Sequence, residues 1–412
     1  MPRPRRLGVW LRDEHVAELE SPRVGRVTCR YLPEVLERYG LGIPLLSCSL
    51  PVRSEKQAAW AFCAGLLPEG QHRQAMAELA NVTTLAVLGM LRRFGRDVAG
   101  AVVLSEQDPP PRNGAVVPYT PDGLVEAVAD LGAHPLGLQE DSELSIAGLQ
   151  DKMLLVRISP GEWGRPAHGF PSTHILKVDD RVRQGLVRAE HACLTLARLA
   201  GLSAADSELT RIGSAECIVV TRFDRHAVND GVARIHQEDA CQALGVDPED
   251  NQRQAKYEQY GGPGLRQIAR LLDAYATDPE RALLDLLEQA LFTVAIGNAD
   301  AHGKNIALLH ETPGHVRLAP LYDTVPTAHW PRLRTRAAMS VNGVQELADV
   351  TLDDLADEAA SWPMHRAAAR SRVSEVAQGL HDVLERGLVD VDTPALVTIR
   401  HRVEGLLTKG PP

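Results

Sequence analysis

A polar loop with a fixed order of side chains joins an amphipathic helix to a β-hairpin. Residues 282–296 carry apolar side chains at helical spacing, and two short apolar runs after the loop are separated by a Thr-Pro-Gly turn. Within the loop Asp300 and Asn305 lie five positions apart, with Lys304 directly before the asparagine. That spacing is typical of a kinase catalytic loop, in which the aspartate accepts the proton of the attacking hydroxyl and the asparagine holds a metal ion.

Other residues suited to phosphate chemistry flank this loop in the chain order that a kinase requires. A glycine-bearing turn between two strands precedes the apolar run 153–158, Lys177 lies on a further strand, Glu190 falls in the first turn of the next helix, and Asp323 ends the hairpin. Phosphoryl transfer needs positioned charge, with donors around the phosphates and magnesium on carboxylate and carboxamide ligands. The order of these residues favours a phosphotransfer site.

Each residue also has a simpler interpretation when it is taken alone. A run of Asn, Asp, Gly and His is a common turn composition, and Gly148 and Asp323 both fit ordinary turns. Lys177 fits a solvated strand lysine, and Glu190 fits a first-turn acid favoured by the helix dipole. His302 fits a metal ligand or general base, or a buried residue that holds the loop by hydrogen bonds. The combination, in the right order, is what favours catalysis.

Composition limits the other function classes. The 412 residues, 44% of them apolar, can fill two or three cores, and no apolar run reaches the length of about 18 residues that a membrane span needs. The basic N-terminus lacks the apolar core of a secretion signal, so we expect a cytoplasmic protein. A net charge of -10 argues against broad nonspecific nucleic-acid binding. The six cysteines form no C-x-x-C pair, which predicts buried free thiols and no structural zinc site.

A series of motifs follows the chain from the first quarter to residue 323. In the N-terminal part they are SLP at 49–51, GLLP at 65–68 and FGRDVAGA at 94–101. Further on they are SIAGLQDK at 145–152, HILK at 174–177, RFDR at 222–225, QEDACQ at 237–242, YE at 257–258 with GGPG at 261–264, GNADAHGKN at 297–305 and LAPLYD at 318–323. Together these motifs resemble the HipA serine/threonine kinases, which are toxins of type II toxin–antitoxin modules. The resemblance covers nearly the whole chain.

The resemblance implies an α+β, two-lobed protein-kinase-like fold with an extra small N-terminal subdomain. Three consecutive prolines at residues 109–111 mark an exposed boundary. We therefore predict a HipA-type N-terminal subdomain over residues 1–110 and a mixed α/β N-lobe with the phosphate-binding loop and ATP lysine over residues 111–225. A mostly helical C-lobe with the catalytic loop and metal site would follow over residues 226–412.

Carried over residue by residue, the resemblance implies ATP and Mg²⁺ as cofactors. Asp300 would be the catalytic base with Lys304 beside it, Asn305 and Asp323 would bind the metal, and Ser145 would be the autophosphorylation site. A phosphate on Ser145 would add about -1.5 to -2 charge, repel the ATP phosphates and pull the loop outward.

Lys177 would contact the phosphates, and residues 221–223 would form the adenine hinge. The implied ATP-binding residues are Ala147, Gly148, Leu149, Gln150, Asp151, Lys152, Lys177, Thr221, Arg222, Phe223, His302, Gly303, Lys304, Asn305, Tyr322 and Asp323.

The resemblance also implies a HipB-like helix-turn-helix antitoxin as partner and an aminoacyl-tRNA synthetase as protein substrate, whose phosphorylation stalls translation and growth. This chain departs from some relatives at Thr221, where they can carry an acid, and at residues 345–354, which are acidic where they carry a lysine-rich, DNA-contacting stretch. We therefore expect operator DNA to be contacted only through the antitoxin, and no membrane to be bound. Arg366, Arg370 and Arg372 fit a small basic patch or, more simply, a solvated helix face.

Two other functions stay open. The chain could be a weak or silent kinase that mainly docks the antitoxin as a corepressor, or a kinase with a lipid or small-molecule substrate. The intact set of Lys177, Asp300, Asn305 and Asp323 argues against a silent enzyme.

Overall fold

The computed structural model describes residues 5–131, 143–146, 150–179, 184–229, 231–250, 254–331 and 333–408. The chain has the predicted α+β, two-lobed kinase-like fold, preceded by an additional small subdomain. No helix in these ranges is both long enough and apolar enough to cross a membrane. All six cysteines are buried free thiols, as their scattered positions predicted.

The N-terminal subdomain is a five-stranded antiparallel sheet in the order β4-β3-β2-β1-β5, with helices against one face. Along β3, Val27, Cys29 and Tyr31 are buried and the residues between them are more exposed, as the period of two in a half-buried strand requires. The elements are β1 (Arg5–Leu11), β2 (Glu14–Arg23), β3 (Arg26–Tyr31), α1 (Pro33–Tyr39), β4 (Gln57–Ala58), α2 (Trp60–Gly65), α3 (Gly70–Leu79), α4 (Val87–Phe94) and β5 (Val102–Ser105).

The N-lobe is built on a six-stranded antiparallel sheet in the order β10-β11-β9-β7-β8-β6. The pairing of β7 with β9 places Lys152 directly opposite Lys177. Helix α6 packs on the sheet through Val187 and Leu194, which lie against Ile218 of β11. The elements are β6 (Ala115–Pro118), α5 (Pro121–Ala129), β7 (Lys152–Ser159), β8 (Glu162–Ala167), β9 (His174–Val178), α6 (Leu186–Leu199), β10 (Ser207–Ile212) and β11 (Ala215–Thr221).

The C-lobe is mostly helical, with small antiparallel sheets at its edges. Its core surrounds α9, whose Leu286 and Leu291 are fully buried, and α9 ends where Gly297 adopts a φ of 74°. The elements are β12 (Arg225–Val228), β13 (Gly231–Arg234), β14 (His236–Asp239), α7 (Ala240–Leu244), α8 (Leu265–Tyr275), α9 (Pro279–Ile296), β15 (Ala307–Thr312), β16 (His315–Leu318), β17 (Arg336–Val341), β18 (Val344–Glu346), α10 (Leu352–Ala360), α11 (Arg366–Glu385) and α12 (Ala395–Thr408).

Most of the predicted elements around the site are confirmed, including the strands β7 and β9, helix α9 and the hairpin β15–β16. The placement of Glu190 in the first turn of its helix is wrong, because α6 already begins at Leu186. The earlier start has a physical cause. Asp179 accepts hydrogen bonds from Gly185 N at 2.6 Å and Val187 N at 3.0 Å, which satisfies the first N–H groups of the helix. Glu190 therefore lies in the second turn.

Two further predictions need correction. The strand expected before the glycine-bearing turn is absent from the described residues around it: Leu144 makes a single bridge to Asp97. Apolar residues at helical spacing predict a helix over residues 82–93. The helix begins only at Val87, because the preceding Val-Thr-Thr stretch is β-branched and residues 83–86 form a turn instead.

Candidate active site

Lys177 links the two lobes at the centre of the candidate site. Its ammonium group lies 2.7 Å from Glu190 Oε1 and 2.7 Å from Asp323 Oδ1. Burial would lower the pKa of Lys177, but the carboxylates of Asp323 and Glu190 outweigh burial and raise the pKa, so the ammonium stays charged. A strand lysine held by a helix glutamate is the arrangement with which protein kinases position phosphates.

Asp323 and Asn305 lie side by side at the opening of the same cleft. Asn305 Nδ2 donates to Asp323 Oδ2 at 2.8 Å, and 45% of the Asp323 side chain remains exposed. Burial in the cleft would raise the pKa of Asp323, but the ammonium groups of Lys177 and Lys152 outweigh it and lower the pKa. Asp323 also has a φ of 54°, a left-handed conformation that is rare for non-glycine residues and recurs at functional positions. Carboxylate and carboxamide oxygens suit Mg²⁺, so this donor set fits a magnesium site.

Asp300 is an exposed carboxylate on a loop that is fixed on both sides. The hydroxyl of Tyr257 donates to Asp300 Oδ1 at 2.6 Å, and Asn298 Oδ1 accepts from the Asp300 N–H at 3.1 Å. The preceding residue, Ala299, donates its N–H to Thr327 Oγ1 at 2.8 Å. One carboxylate oxygen is therefore held by a tyrosine, and the loop presents the group to solvent, as a general base requires.

His302 is buried, but its side chain does not hold the loop by hydrogen bonds as one interpretation expected. Among the described residues its Nδ1 has no hydrogen-bond partner, and its ring packs edge-on against Tyr257 with 5.3 Å between centroids. The main-chain N–H of His302 makes the loop contacts instead, to Asp300 O at 2.8 Å and Asn305 Oδ1 at 3.3 Å. Burial and the nearby Lys256 lower the pKa of His302 to about 4, so the ring is neutral at pH 7.

Three further residues hold this loop in place. Gly303 and Lys304 lie within it, and Tyr322 contacts it from the segment that precedes Asp323. A Cβ at Gly303 would lie 2.6 Å from a Pro263 side-chain atom, so only glycine fits there. Lys304 is buried, and its ammonium pairs with Asp239 Oδ2 at 2.7 Å, on the side of the N-terminal subdomain. The Tyr322 hydroxyl donates to the carbonyl oxygen of Lys304 at 2.6 Å, which joins the residue before Asp323 to the predicted catalytic loop.

The ends of the predicted phosphate-binding loop are described, whereas Ala147, Gly148 and Leu149 lie outside the described residues. Gln150 Nε2 donates to Val178 O at 3.1 Å, and Asp151 Oδ1 lies 3.3 Å from His72 Nε2. Lys152 is buried on β7, where burial and the neighbouring Lys177 lower its pKa to about 8. Two lysines on adjacent strands thus flank the end of this loop.

Ser145 is fully buried before the loop. Its hydroxyl donates to Leu66 O at 2.9 Å, and its N–H donates to Asp97 O at 2.8 Å. Both partners belong to the N-terminal subdomain, so Ser145 is held against that subdomain.

The predicted hinge residues are divided between two environments. The N–H groups of Thr221 and Arg222 already donate to Asp206 O at 2.8 Å and Thr173 O at 3.0 Å. The Arg222 guanidinium points into a buried ionic cluster, where it pairs with Asp224 at 2.8 Å. The Phe223 ring packs against Tyr322 with 5.4 Å between centroids. Adenine contacts at this hinge would therefore use main-chain groups other than these two N–H groups.

The site also contains residues to which sequence reasoning gave no role. Tyr257 contacts Asp300, Asp239 pairs with Lys304, and Lys256 pairs with Glu69 Oε2 at 2.8 Å. Tyr257 and Asp239 fall within family motifs, and Glu69 directly follows one. Their position in or next to a motif could therefore have marked them as candidate site residues. Which residues pair with each other gave no such signal, because the partners lie far apart in the sequence.

Comparisons with known proteins agree with this geometry. A family model described as the HipA-like C-terminal domain matches residues 144–384, and one described as the HipA N-terminal domain matches residues 7–105. A putative kinase of Sinorhizobium fredii, Y4mE, is 36% identical over 394 residues, which are 92% of this chain and 92% of the relative.

Two proteins of Shewanella oneidensis are also similar. The serine/threonine-protein kinase toxin HipA is 29% identical over 300 residues, which are 68% of this chain and 66% of the toxin. A chain in the solved complex of HipA, HipB and operator DNA from a toxin–antitoxin system superposes with a TM-score of 0.82 at 24% identity, covering 97% of this chain and 96% of that chain. That likeness shows a shared fold.

Proposed function

The chain belongs to the HipA family, and we propose that it is an ATP- and magnesium-dependent protein serine/threonine kinase that acts as a growth-inhibiting toxin. The observation that carries this proposal is the Lys177 ammonium, which lies 2.7 Å from both Glu190 and Asp323 and joins the two lobes next to Asn305. In this proposal residues 1–110 form the N-terminal subdomain, 111–225 the N-lobe and 226–412 the C-lobe.

Each charged group of the cleft has a role in this proposal. Lys177 and Lys152 bind and orient the phosphate oxygens of ATP, and Asp323 and Asn305 hold Mg²⁺, which would neutralise charge on the transferring phosphate. Asp300 accepts the proton of the attacking serine or threonine hydroxyl. The remaining ATP contacts come from the loop residues 147–152, the hinge 221–223, Tyr322 and the 302–305 segment.

Ser145 is proposed as the autophosphorylation site and off-switch. Its hydroxyl is buried against Leu66 O, so the loop must leave this position before the hydroxyl can reach a phosphate. A phosphoserine carries about -1.5 to -2 charge, and the cost of removing that charge from water disfavours its return to this fully buried position. The phosphorylated loop would therefore stay displaced and leave the ATP site incomplete.

The proposed partners follow the family and the surface charges. We propose a HipB-like helix-turn-helix antitoxin as the binding partner and an aminoacyl-tRNA synthetase as the substrate. Operator DNA would be reached only through the antitoxin. The three arginines on α11 argue against direct DNA contact by this chain, because their guanidinium groups already pair with carboxylates. Arg366 pairs with Asp353 and Asp357, Arg370 with Asp353, and Arg372 with Glu288 and Glu375.

Mass spectrometry of the purified protein after incubation with labelled Mg·ATP tests the kinase step. We expect phosphate in the peptide that spans residues 144–152, and we expect Ser145→Ala to lose it while Mg·ATP still binds. Ser159→Ala is the matched control, because Ser159 is a partly exposed serine at the end of β7 and should leave labelling unchanged. Phosphate found only elsewhere would overturn the site, and ATP binding without transfer to any protein would favour the antitoxin-docking role. Phosphoproteomics after induction separates a synthetase from other substrates.

The affinity for Mg·ATP is expected to fall above about pH 8. Burial and Lys177 lower the pKa of Lys152 from 10.5 to about 8, so the free protein loses this proton above pH 8, whereas bound phosphates favour the charged form. Binding then takes up a proton, and the dissociation constant should rise by up to about tenfold per pH unit. The lowered pKa of Lys152 also affects folding. Between about pH 8 and pH 10.5 only the unfolded chain keeps the proton on Lys152, so the free energy of unfolding rises with pH over this range.

Calorimetric titrations at pH 7, 8 and 9 in buffers with different ionisation enthalpies measure this linkage. Lys152→Met should bind Mg·ATP more weakly and lose the pH dependence, whereas Lys56→Met, at an exposed lysine that pairs with Glu20, should keep it. An equal dissociation constant at pH 8 and pH 9 in the native protein would contradict the role of Lys152.

A further inference from the structure

A short segment of the N-terminal subdomain, residues 65–72, contacts four parts of the candidate site. It reaches the catalytic loop, the proposed autophosphorylation serine, the segment before Tyr257, and the end of the phosphate-binding loop. The contacts are Gly65 O with Lys304 Nζ (3.4 Å), Leu66 O with Ser145 Oγ (2.9 Å), Glu69 Oε2 with Lys256 Nζ (2.8 Å) and His72 Nε2 with Asp151 Oδ1 (3.3 Å). The subdomain is therefore part of the wall of the site.

Glu69 is the charged residue of this segment that lies deepest. It is 4% exposed and precedes α3, yet its carboxylate makes no capping hydrogen bond to that helix and pairs with Lys256 instead. Burial would raise the pKa of Glu69, but the ammonium groups of Lys304 and Lys256 outweigh it and lower the pKa. The carboxylate is thus ionised at neutral pH and balances two buried lysines.

Lys256 connects Glu69 to Asp300 by two short routes. The carbonyl oxygen of Lys256 accepts the N–H of Gly303 at 3.1 Å, which fixes the segment to the catalytic loop. The next residue, Tyr257, donates its hydroxyl to Asp300 Oδ1 at 2.6 Å. Any movement of Lys256 therefore moves the hydrogen-bond donor of the proposed catalytic base.

We propose that Glu69 is a positioning residue of the phosphotransfer site, so that the N-terminal subdomain completes the active site of the kinase. This inference rests on the proposed function. The Glu69 carboxylate holds Lys256, so that Tyr257 occupies one oxygen of Asp300 and leaves the other oxygen to accept the proton of the substrate. Without the Glu69 carboxylate, the buried Lys256 ammonium lacks its counter-ion and must move toward water or another anion, and Tyr257, the next residue, moves with it.

Steady-state kinetics of Glu69→Gln test the proposal. We expect kcat to fall about 100-fold, because a misplaced catalytic group costs that much, while KM for ATP stays within about threefold. Glu69→Asp should recover part of the loss. Tyr257→Phe should lower kcat similarly, and the double variant with Glu69→Gln should be no slower than the slower single variant, because both act on Asp300 by one path.

Glu78→Gln is the matched control, since Glu78 is an exposed acid of α3, the helix that follows Glu69, and it should keep full activity. If Glu69→Gln does not fold, Glu69→Leu with Lys256→Met removes both buried charges and should fold. Its kcat should still be low, because no ion pair then holds the residue before Tyr257. Native kcat in Glu69→Gln or in that double variant would overturn the inference while leaving the kinase intact. Absence of transfer in the native protein would instead contradict the proposed function itself.

Discussion

An Asp300→Asn variant is expected to transfer phosphate about 10²- to 10⁴-fold more slowly than the native protein, because that is the contribution of a general base. Asparagine keeps the volume of the side chain and an oxygen that can accept the Tyr257 hydroxyl, which lies 2.6 Å from Asp300 Oδ1. The substitution therefore removes the basic oxygen and little else. Since Lys177, Asn305 and Asp323 are untouched, the affinity for Mg·ATP should stay within about twofold. Single-turnover transfer to Ser145 and calorimetric titration measure the two quantities.

The control for this variant is Asp273→Asn. Asp273 is an exposed acid on α8, so its loss should change neither transfer nor growth arrest on expression. Growth arrest should disappear in Asp300→Asn if phosphate transfer causes it. A variant that still autophosphorylates and still arrests growth at the native rate would remove Asp300 from its role as the catalytic base. Arrest without transfer would point to the antitoxin-docking role.

The chain order of the site could be predicted from the sequence because local patterns carry it. Lys177 lies in a five-residue strand, and Asp300 directly follows a strongly periodic helix that ends at a glycine. Asp323 follows a hairpin whose turn is marked by Pro and Gly. Each residue is placed by the element next to it, so an error of one helical turn at Glu190 did not change the pairing with Lys177.

The remaining parts of the site depend on contacts between distant segments, and no local pattern records them. Glu69 and Lys256 are 187 positions apart, and Tyr257 and Asp300 are 43 positions apart. The role of the Arg222 side chain was likewise hidden. As a hinge residue it needs only its main chain, whereas the guanidinium reaches Val98 O, 124 positions away, at 3.0 Å. A buried charge can be interpreted only once its partner is known.

A buried ionic cluster fastens the N-terminal subdomain to the hinge. The Asp224 carboxylate accepts from Arg222 Nη2 at 2.8 Å and from the Gly100 N–H at 2.7 Å, and it forms an ion pair with Arg225 Nη1 at 2.8 Å. Asp97 of the subdomain pairs with Arg225 Nη2 at 3.0 Å. Burial would raise the pKa of each aspartate, but the guanidinium groups outweigh it and lower both. Their stabilising contribution is therefore present at neutral pH and is lost as the pH falls below the unfolded value of about 4.

Asp224→Ala is expected to lower the free energy of unfolding by about 3 to 5 kcal/mol, because it leaves two guanidinium groups buried without their shared carboxylate. Asp206→Ala is the matched control. Asp206 pairs with Arg198 but 77% of its side chain is exposed, so its loss should cost about 0 to 1 kcal/mol. Denaturant unfolding at pH 7 compares the two. Because the cluster joins Gly100 of the subdomain to the hinge, Asp224→Ala should also loosen the Glu69 contact and lower kcat, which Asp206→Ala should not. A cost below about 1 kcal/mol for Asp224→Ala would mean that solvent reaches the cluster and that the other contacts of the subdomain, such as Glu69 with Lys256, hold it in place.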